Sequence, residues 1–283
     1  MDAELDSAGT NKTADIELRL LLDALYLRYH YDFRAYAIAS LKRRLLSALT
    51  RFGCVTLSQL QDRLLHDPSI LADLLDVMTV QVSELFRDPG YFRALREQVV
   101  PVLRTYPSLK IWVAGCSTGE EAYSVAMLLR VEGLLERALI YATDINSAAL
   151  RKAEAAVYSE DSLPAFAENY RLAGMPGNLS EHYTAAYGRA VFDRGLRDRI
   201  VFSDHSLATD SAFAEVQLVS CRNVLIYFDR ELQDRAVGLF HESLGRRGFL
   251  GIGSRESLRF GAYGASFDEL IPAERIYRKR ESP

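Results

Sequence analysis

Residues Trp112 to Tyr123 read W-V-A-G-C-S-T-G-E-E-A-Y, a short apolar strand running into a glycine-bearing turn and then a helix. Gly115 ends the strand, and Gly119 lets the backbone approach a ligand closely as the helix begins. Ser117 with Glu120, and Thr118 with Glu121, both have capping-box spacing, which predicts a well-specified helix start. A second strand ends at Thr143-Asp144-Ile145, 29 residues beyond Gly115. A carboxylate at that tip can accept hydrogen bonds from the two hydroxyls of a ribose; the competing role is an N-cap on the following turn.

The ligand is narrowed by charge. A pyrophosphate binder favours G-x-G-x-x-G, whereas Glu120 and Glu121 would repel phosphates at this helix start. S-adenosylmethionine suits the pattern better. It offers ribose hydroxyls to Asp144, carries no phosphate, and has positive sulfonium and amino groups for Glu121 to face. Two further clusters lie elsewhere: Cys221-Arg222-Asn223-Val224-Leu225-Ile226-Tyr227-Phe228-Asp229 after another strand, and Gln81-Val82-Ser83-Glu84-Leu85-Phe86-Arg87-Asp88-Pro89 between two halves of different character.

The elements that must position these groups can be read from periodicity. Residues 1–15 are polar and aperiodic and are expected to form a flexible tail. Leu18, Leu21, Leu22, Leu25 and Tyr29 then recur at helical spacing, as do Leu41, Leu45, Leu46 and Leu49, and Leu57, Leu60, Leu64 and Leu65. A small all-helical domain over 16–85 follows. Residues 28–51 hold Arg28, Arg34, Lys42, Arg43, Arg44 and Arg51 against the single acid Asp32, a net +5, which is either a solvated helix surface or a dock for an acidic partner.

From residue 86 the pattern changes to α/β. Asp88 and Pro89 read as an N-cap with proline at the first helical position. Apolar runs at Ile111–Ala114, Leu139–Thr143, Ile200–Ser203 and Val216–Ser220 read as strands buried on both faces. Helices at Glu120–Val131, Ala148–Val157 and Arg230–Leu244, the last capped by Asp229, separate some of them. The alternation predicts a doubly wound, Rossmann-like sheet over 86–283, with Phe249–Ile252 and Arg275–Tyr277 as a hairpin-like edge. Residues 158–199 hold too many prolines and glycines for one crossover helix and read as an inserted subdomain.

The chain of 283 residues has 49% hydrophobic and 25% charged residues, which excludes disordered, collagenous and stapled miniature classes. A net charge of −4 disfavours a general nucleic-acid binder. Three dispersed cysteines without C-x-x-C spacing suggest a reducing compartment and no metal site. No apolar run is long enough to span a membrane, and an acidic N-terminus argues against a signal peptide, so the expected address is the cytoplasm.

Together, S-E-L-F-R-D-P at 83–89, A-G-C-S-T-G-E-E-A-Y-S at 114–124, A-T-D-I-N at 142–146, C-R-N-V-L-I-Y-F at 221–228 and G-S-R-E-S-L at 253–258 resemble the CheR family, bacterial chemotaxis receptor glutamate O-methyltransferases. The resemblance covers nearly the whole chain from residue 16. It implies methyl transfer from S-adenosylmethionine, with S-adenosylhomocysteine as product, to glutamates on the cytoplasmic signalling region of methyl-accepting chemoreceptors. It implies cofactor contacts from Gln81, Ser83, Arg87, Gly115, Glu121, Asp144, Ser206, Leu207, Arg222 and Asn223, and places Arg87 and Tyr227 at the methyl-transfer centre. The helical domain would contact the receptor, giving the basic segment 28–51 its acidic target and recruiting a cytoplasmic protein to membrane receptor arrays.

The chain departs from the family pattern in places. N-x-T-x-F-F-R reads Gln81-Val82-Ser83-Glu84-Leu85-Phe86-Arg87 here, and Ser206 stands where asparagine is usual, so an altered cofactor affinity is expected. The insertion also looks longer and more irregular than the compact β-subdomain with which some members grip a receptor's C-terminal peptide. The alternative reading is a CheR-like signalling or docking module that binds cofactor or receptor without efficient turnover. A nucleic-acid or small-molecule methyltransferase is a third possibility, though N-V-L-I at 223–226 is unlike the N-P-P-Y motif of base amino-group methylation. A nicotinamide-linked oxidoreductase ranks last because of the acids in the glycine turn.

Overall fold

The computed structural model describes residues 2–281, with side chains from Lys12 onward. The chain divides into two compact units: residues up to Val80 together with Tyr227–Leu232, and Gln81–Ile226 together with residues from Gln233 onward.

The first unit is helical. Helices α1 (Asp2–Tyr29), α2 (Ile38–Ala48), α3 (Leu57–His66) and α4 (Leu71–Met78) bury most of the expected stripes: Leu18, Leu21, Leu22 and Leu25 of α1 lie in the core with Leu41, Leu45, Leu49, Leu57, Leu60 and Leu64, whereas Leu46 and Leu65, each next to a buried leucine in the chain, face outward. Thr56 caps α3 by accepting from the Gln59 N–H at 3.2 Å. The Tyr29 hydroxyl donates to the Leu64 carbonyl at 2.8 Å, tying α1 to α3. The expected flexible tail over 1–15 is overturned from Asp2 to Asp15, which are the first turns of α1; Met1 lies outside the described residues. Helical hydrogen bonding continues without apolar periodicity when the next turns are anchored, and Asp15 itself pairs with Lys42 of α2 at 2.7 Å.

In the second unit, α5 (Pro89–Ala94), a π-helical turn and α6 (Val100–Leu103) form one continuous helical stretch. It leads into β1 (Leu109–Ala114), α7 (Glu120–Val131), β2 (Ala138–Asp144) and α8 (Ser147–Ala155). The insertion follows as β3 (Val157–Ser159), α9 (Leu163–Leu172), β4 (Tyr183–Ala186) and β5 (Arg189–Phe192). Next come α10 (Arg194–Arg197), β6 (Ile200–Asp204), β7 (Val216–Cys221), α11 (Arg230–Ser243), β8 (Leu244–Ile252), β9 (Phe267–Ile271) and β10 (Ile276–Lys279).

The main sheet has the order β6-β2-β1-β7-β8-β10-β9. Its first five strands are parallel, and β10 runs antiparallel to both β8 and β9. The expected edge pair is present, with Ile276 opposite Gly251, and β9 adds a strand that was not anticipated. Because β2 and β6 lie on one side of β1 and β7 on the other, the strand order reverses at β1/β7, and a crevice opens at their carboxyl ends.

Three expectations need correction. The helical domain does not run to 85: Gln81 and Ser83 belong with the second unit, held there by Ser117 and Glu120. The insertion is not irregular. It is a three-stranded antiparallel sheet, β3-β5-β4, with α9. Its apparent breakers sit at element boundaries, Pro164 in the first turn of α9, Gly174 and Gly177 after its end, and Tyr187-Gly188 as the hairpin turn. The basic segment is also less basic in three dimensions than in sequence. Arg34 pairs with Asp32 and Asp23, Lys42 with Asp15, and Arg51 with Asp73, acids supplied largely by α1 and α4. Among the described residues, Arg28, Arg43 and Arg44 have no ion pair.

Candidate functional site

The crevice is built from strand ends. Gly115 follows β1 with φ +72°, and a Cβ there would lie 2.4 Å from Val224 Cγ2, so the turns after β1 and β7 meet only because no side chain intervenes. Gly119 is needed for a different reason from the expected ligand approach: a Cβ there would lie 2.8 Å from the Ala153 Cβ of α8. Nor does a capping box start α7. Its N-cap is Gly119, the Ser117 hydroxyl donates to the Gln81 side-chain oxygen, and Thr118 Oγ1 donates to both carboxylate oxygens of Glu120 at 2.9 and 2.8 Å. The side chains expected to cap the helix instead join the turn to the 81–83 segment, where Ser83 also hydrogen-bonds to Glu120.

Asp144 stands at the tip of β2, half-buried. Its Oδ2 accepts from the Ser117 N–H at 2.8 Å and its Oδ1 from the Asn146 N–H at 2.9 Å. The cap of α8 is Asn146, whose side-chain oxygen accepts from Ala148 and Ala149. The competing N-cap role for Asp144 therefore falls to its neighbour. Burial pushes the Asp144 carboxyl above its ordinary range, opposed by the N–H groups of Asn146, Ser117 and Ile145. Each oxygen keeps a lone pair for another donor. The next strand brings Ser206 and Leu207 alongside: Asp204 is in register with Asp144, and the His205 N–H donates to the Asp144 carbonyl at 3.3 Å. Ser206 turns back on its own loop, accepting from the Ala208 N–H at 3.3 Å, while Leu207 is buried.

On the β7 side, Arg222 is buried, its side chain 1% exposed. Its guanidinium donates to the Arg87 carbonyl at 2.9 Å and to Asp88 at 2.7 Å, contacts Glu121 at 3.4 Å, and lies 4.2 Å from the Tyr91 ring centre. The Ser220 hydroxyl donates to the other Glu121 oxygen at 2.6 Å. Arg222 thus acts on Glu121 and the 87–88 backbone. Asp88, expected to cap α5, makes no cap and spends its carboxylate on Arg222.

Arg87 sits between Phe86 and Asp88, both in the left-handed region at φ +52° and +53°, which is costly for residues with side chains. The surroundings enforce it: the Phe86 ring is fully buried against Phe92 and Tyr170, and its N–H donates to Ser124 Oγ at 2.8 Å. The Arg87 side chain is half-buried, and its Nη1 donates to the Val82 carbonyl at 3.2 Å. Tyr227 belongs to the first unit, where its carbonyl accepts from the Ala37 N–H at 2.7 Å and the Arg44 guanidinium lies 5.9 Å from its ring centre. Two nitrogens of Arg44 are buried without a hydrogen-bond partner.

Sequence reasoning gave Glu256 no role of its own, and gave Glu120 only a capping role and a charge at the helix start. Glu256, inside the quoted G-S-R-E-S-L stretch, is buried and accepts from the N–H groups of Gly253, Asn223 at 3.3 Å and Ile226 at 3.2 Å. It fastens the turn on which Asn223 adopts φ +61°.

The set of acceptors suits a ligand with vicinal hydroxyls and positive charge: a carboxylate at the β2 tip and two acids at the start of α7, of which Glu121 is paired with Arg222.

Comparison with known proteins agrees with this geometry. Residues 81–266 match the CheR methyltransferase, SAM binding domain, and residues 16–79 the CheR methyltransferase, all-alpha domain. Cher3 of Pseudomonas putida, whose name assigns it methyltransferase activity only provisionally, is 59% identical over 95% of this chain and 99% of its own. A chemotaxis protein methyltransferase of Listeria monocytogenes is 32% identical over 80% of this chain and 84% of its own. An uncharacterized 104.1 kDa protein of Rhodobacter capsulatus is 32% identical over 84% of this chain, which spans 25% of that longer protein.

Proposed function

The chain belongs to the CheR methyltransferase family, and on that premise we propose that it methylates glutamate side-chain carboxylates of bacterial chemoreceptors. Its cofactor is S-adenosylmethionine. When bound, that cofactor supplies an electrophilic methyl group and leaves as S-adenosylhomocysteine. The observation that carries the acceptor reading is Arg87, whose backbone is held by Arg222 and whose guanidinium has the Val82 carbonyl as its hydrogen-bond partner. A fork of donors so presented suits a planar carboxylate.

The reaction asks little else of the protein. A glutamate carboxylate is ionised at neutral pH and is itself the nucleophile, so no general base is needed. One oxygen bonds to the methyl carbon as the carbon–sulfur bond breaks, leaving a neutral ester and a thioether. Arg87 orients the attacking group, and the role of Tyr227 at the methyl-transfer centre is the one that the resemblance implies. Asp144 would hold the ribose hydroxyls, with Glu121 facing the donor's positive end and Asn223, Ser206 and Leu207 at the neighbouring strand ends. In this reading Arg222 positions rather than contacts.

The name of the Listeria relative supports a chemotaxis setting. No helix among the described residues is long and apolar enough to cross a membrane, and in this reading the enzyme is cytoplasmic and is recruited to receptor arrays through the basic segment 28–51, in which Arg28 and Arg43 have no ion pair among the described residues. The test is transfer of labelled methyl from S-adenosylmethionine to a soluble cytoplasmic fragment of a bacterial chemoreceptor. Base-labile label on glutamates is expected. Cofactor binding without any ester formation would reject the acceptor and favour the docking-module alternative.

A further inference from the structure

Tyr91, on α5, is buried in the core of the second unit, and the proposed reaction gives it no task. Its hydroxyl lies 2.8 Å from Ser220 Oγ, 129 residues away on β7, and Ser220 Oγ in turn donates to Glu121 Oε1 at 2.6 Å. A serine hydroxyl carries one hydrogen. With that hydrogen committed to Glu121, the Ser220 oxygen accepts from Tyr91, so the chain runs in one direction from Tyr91 through Ser220 to Glu121. The other Glu121 oxygen contacts Arg222 Nη1 at 3.4 Å, and that guanidinium lies 4.2 Å from the Tyr91 ring centre. Tyr91 therefore supports the partners of both Glu121 oxygens. The backbone makes room for it: Gly251 of β8 is in register with Ser220, and a Cβ on Gly251 would overlap the Tyr91 hydroxyl. Burial pushes that hydroxyl well above its ordinary range, which keeps its proton in place as a donor.

We propose that Tyr91 is a positioning residue for the cofactor, holding Glu121 through the Ser220 hydroxyl in the orientation that meets the positive end of S-adenosylmethionine. A carboxylate fixed before the ligand arrives loses little further freedom on binding, whereas one free to rotate must be ordered at that moment. The hydroxyl is the working part of the side chain. Phenylalanine would fill nearly the same space and leave the Ser220 hydroxyl free to turn away from Glu121. The inference rests on the reading that Glu121 faces the cofactor and is independent of which acceptor is methylated.

The test is a double-mutant cycle read by calorimetric titration with S-adenosylmethionine, using the full chain, Tyr91→Phe, Glu121→Ala and the two changes together. Tyr91→Phe is expected to weaken binding about fivefold and Glu121→Ala about tenfold, with the double variant within about twofold of Glu121→Ala. A merely structural role would make Tyr91→Phe weaken binding equally with and without Glu121, and that result overturns the proposal, as does a Tyr91→Phe variant that binds as tightly as the unaltered chain. Should Tyr91→Phe not fold, Ser220→Ala breaks the chain at its middle and is expected to give the same pattern in the same cycle. If Glu121→Ala binds as tightly as the unaltered chain, the place of Glu121 at the cofactor falls and the role of Tyr91 with it. If Glu121→Ala weakens binding but the cycle shows no coupling, only the role of Tyr91 falls.

Discussion

The Arg222 guanidinium reaches the Asp88 carboxylate at 2.7 Å across 134 residues of chain, and in doing so joins the end of β7 to the loop that carries Arg87. Arg222→Ala would leave Asp88 and the Arg87 carbonyl without this donor and Glu121 with only the Ser220 hydroxyl, and is expected to lower unfolding free energy by about 3 kcal/mol. Asp88→Asn should cost about 1 kcal/mol or less, since that side chain is 41% exposed and solvent replaces part of the lost interaction. Urea unfolding of both variants checks the ordering; comparable losses would mean that the pair, rather than the arginine's wider set of contacts, holds the loop.

Arg87 separates binding from transfer. Arg87→Ala is expected to lower kcat by about a hundredfold while the Kd for S-adenosylmethionine stays within about twofold. Steady-state kinetics beside calorimetry reads the two effects apart. Parallel loss in both would put the guanidinium in the cofactor pocket, as the sequence resemblance also allowed.

Gly115 is constrained twice, by φ +72° and by Val224 Cγ2 at 2.4 Å from where a Cβ would sit. Gly115→Ala should destabilise by about 2–3 kcal/mol and weaken cofactor binding. Adding Val224→Ala is expected to relieve the clash and leave the backbone cost. A double-mutant cycle with no coupling would contradict the close approach of the two turns.

Glu256 provides a pH signature. Burial raises its carboxyl above 4.5 despite the N–H groups of Gly253, Ile226, Asn223 and Leu225 that favour the ionised form. A raised folded-state value means the native protein holds the proton to higher pH than the unfolded chain does. This group's contribution to stability is therefore greatest at low pH and is lost as pH rises from 4.5 through the folded value. The stability of the unaltered chain relative to Glu256→Gln should grow as pH is lowered from 7 toward about 5 in urea titrations. A gap that shrinks on acidification would refute the sign.

The ion pairs of the helical unit set which arginines are available to an acidic partner. Arg51 is engaged by Asp73 at 2.7 Å, whereas Arg43 has no ion pair among the described residues. Arg43→Glu is expected to raise the KM for a chemoreceptor fragment about tenfold, and Arg51→Glu about threefold or less. Both effects should shrink with added salt. Equal effects would return the role to overall charge.

Much of the fold was written locally. Leucines at helical spacing in α1 to α3, apolar runs at β1, β2, β6 and β7, and Asp229 capping α11 through the Leu232 N–H at 2.9 Å need only neighbours along the chain. The cofactor class was legible for the same reason, since an acid-bearing glycine turn and an acid at the next strand tip are properties of short segments. The insertion was misjudged because glycine and proline mark boundaries without saying what lies between them.

What only the tertiary structure decided is who partners whom. Ser117 and Thr118 have capping spacing yet bond to Gln81 and Glu120; Asp88 has N-cap spacing yet bonds to Arg222; a +5 segment loses much of its charge to Asp15, Asp23 and Asp73. Spacing determines which face of an element a residue occupies. Whether its charge is buried, paired or left waiting for a ligand depends on groups that folding brings from distant parts of the chain, and those interactions have no periodic trace in the sequence.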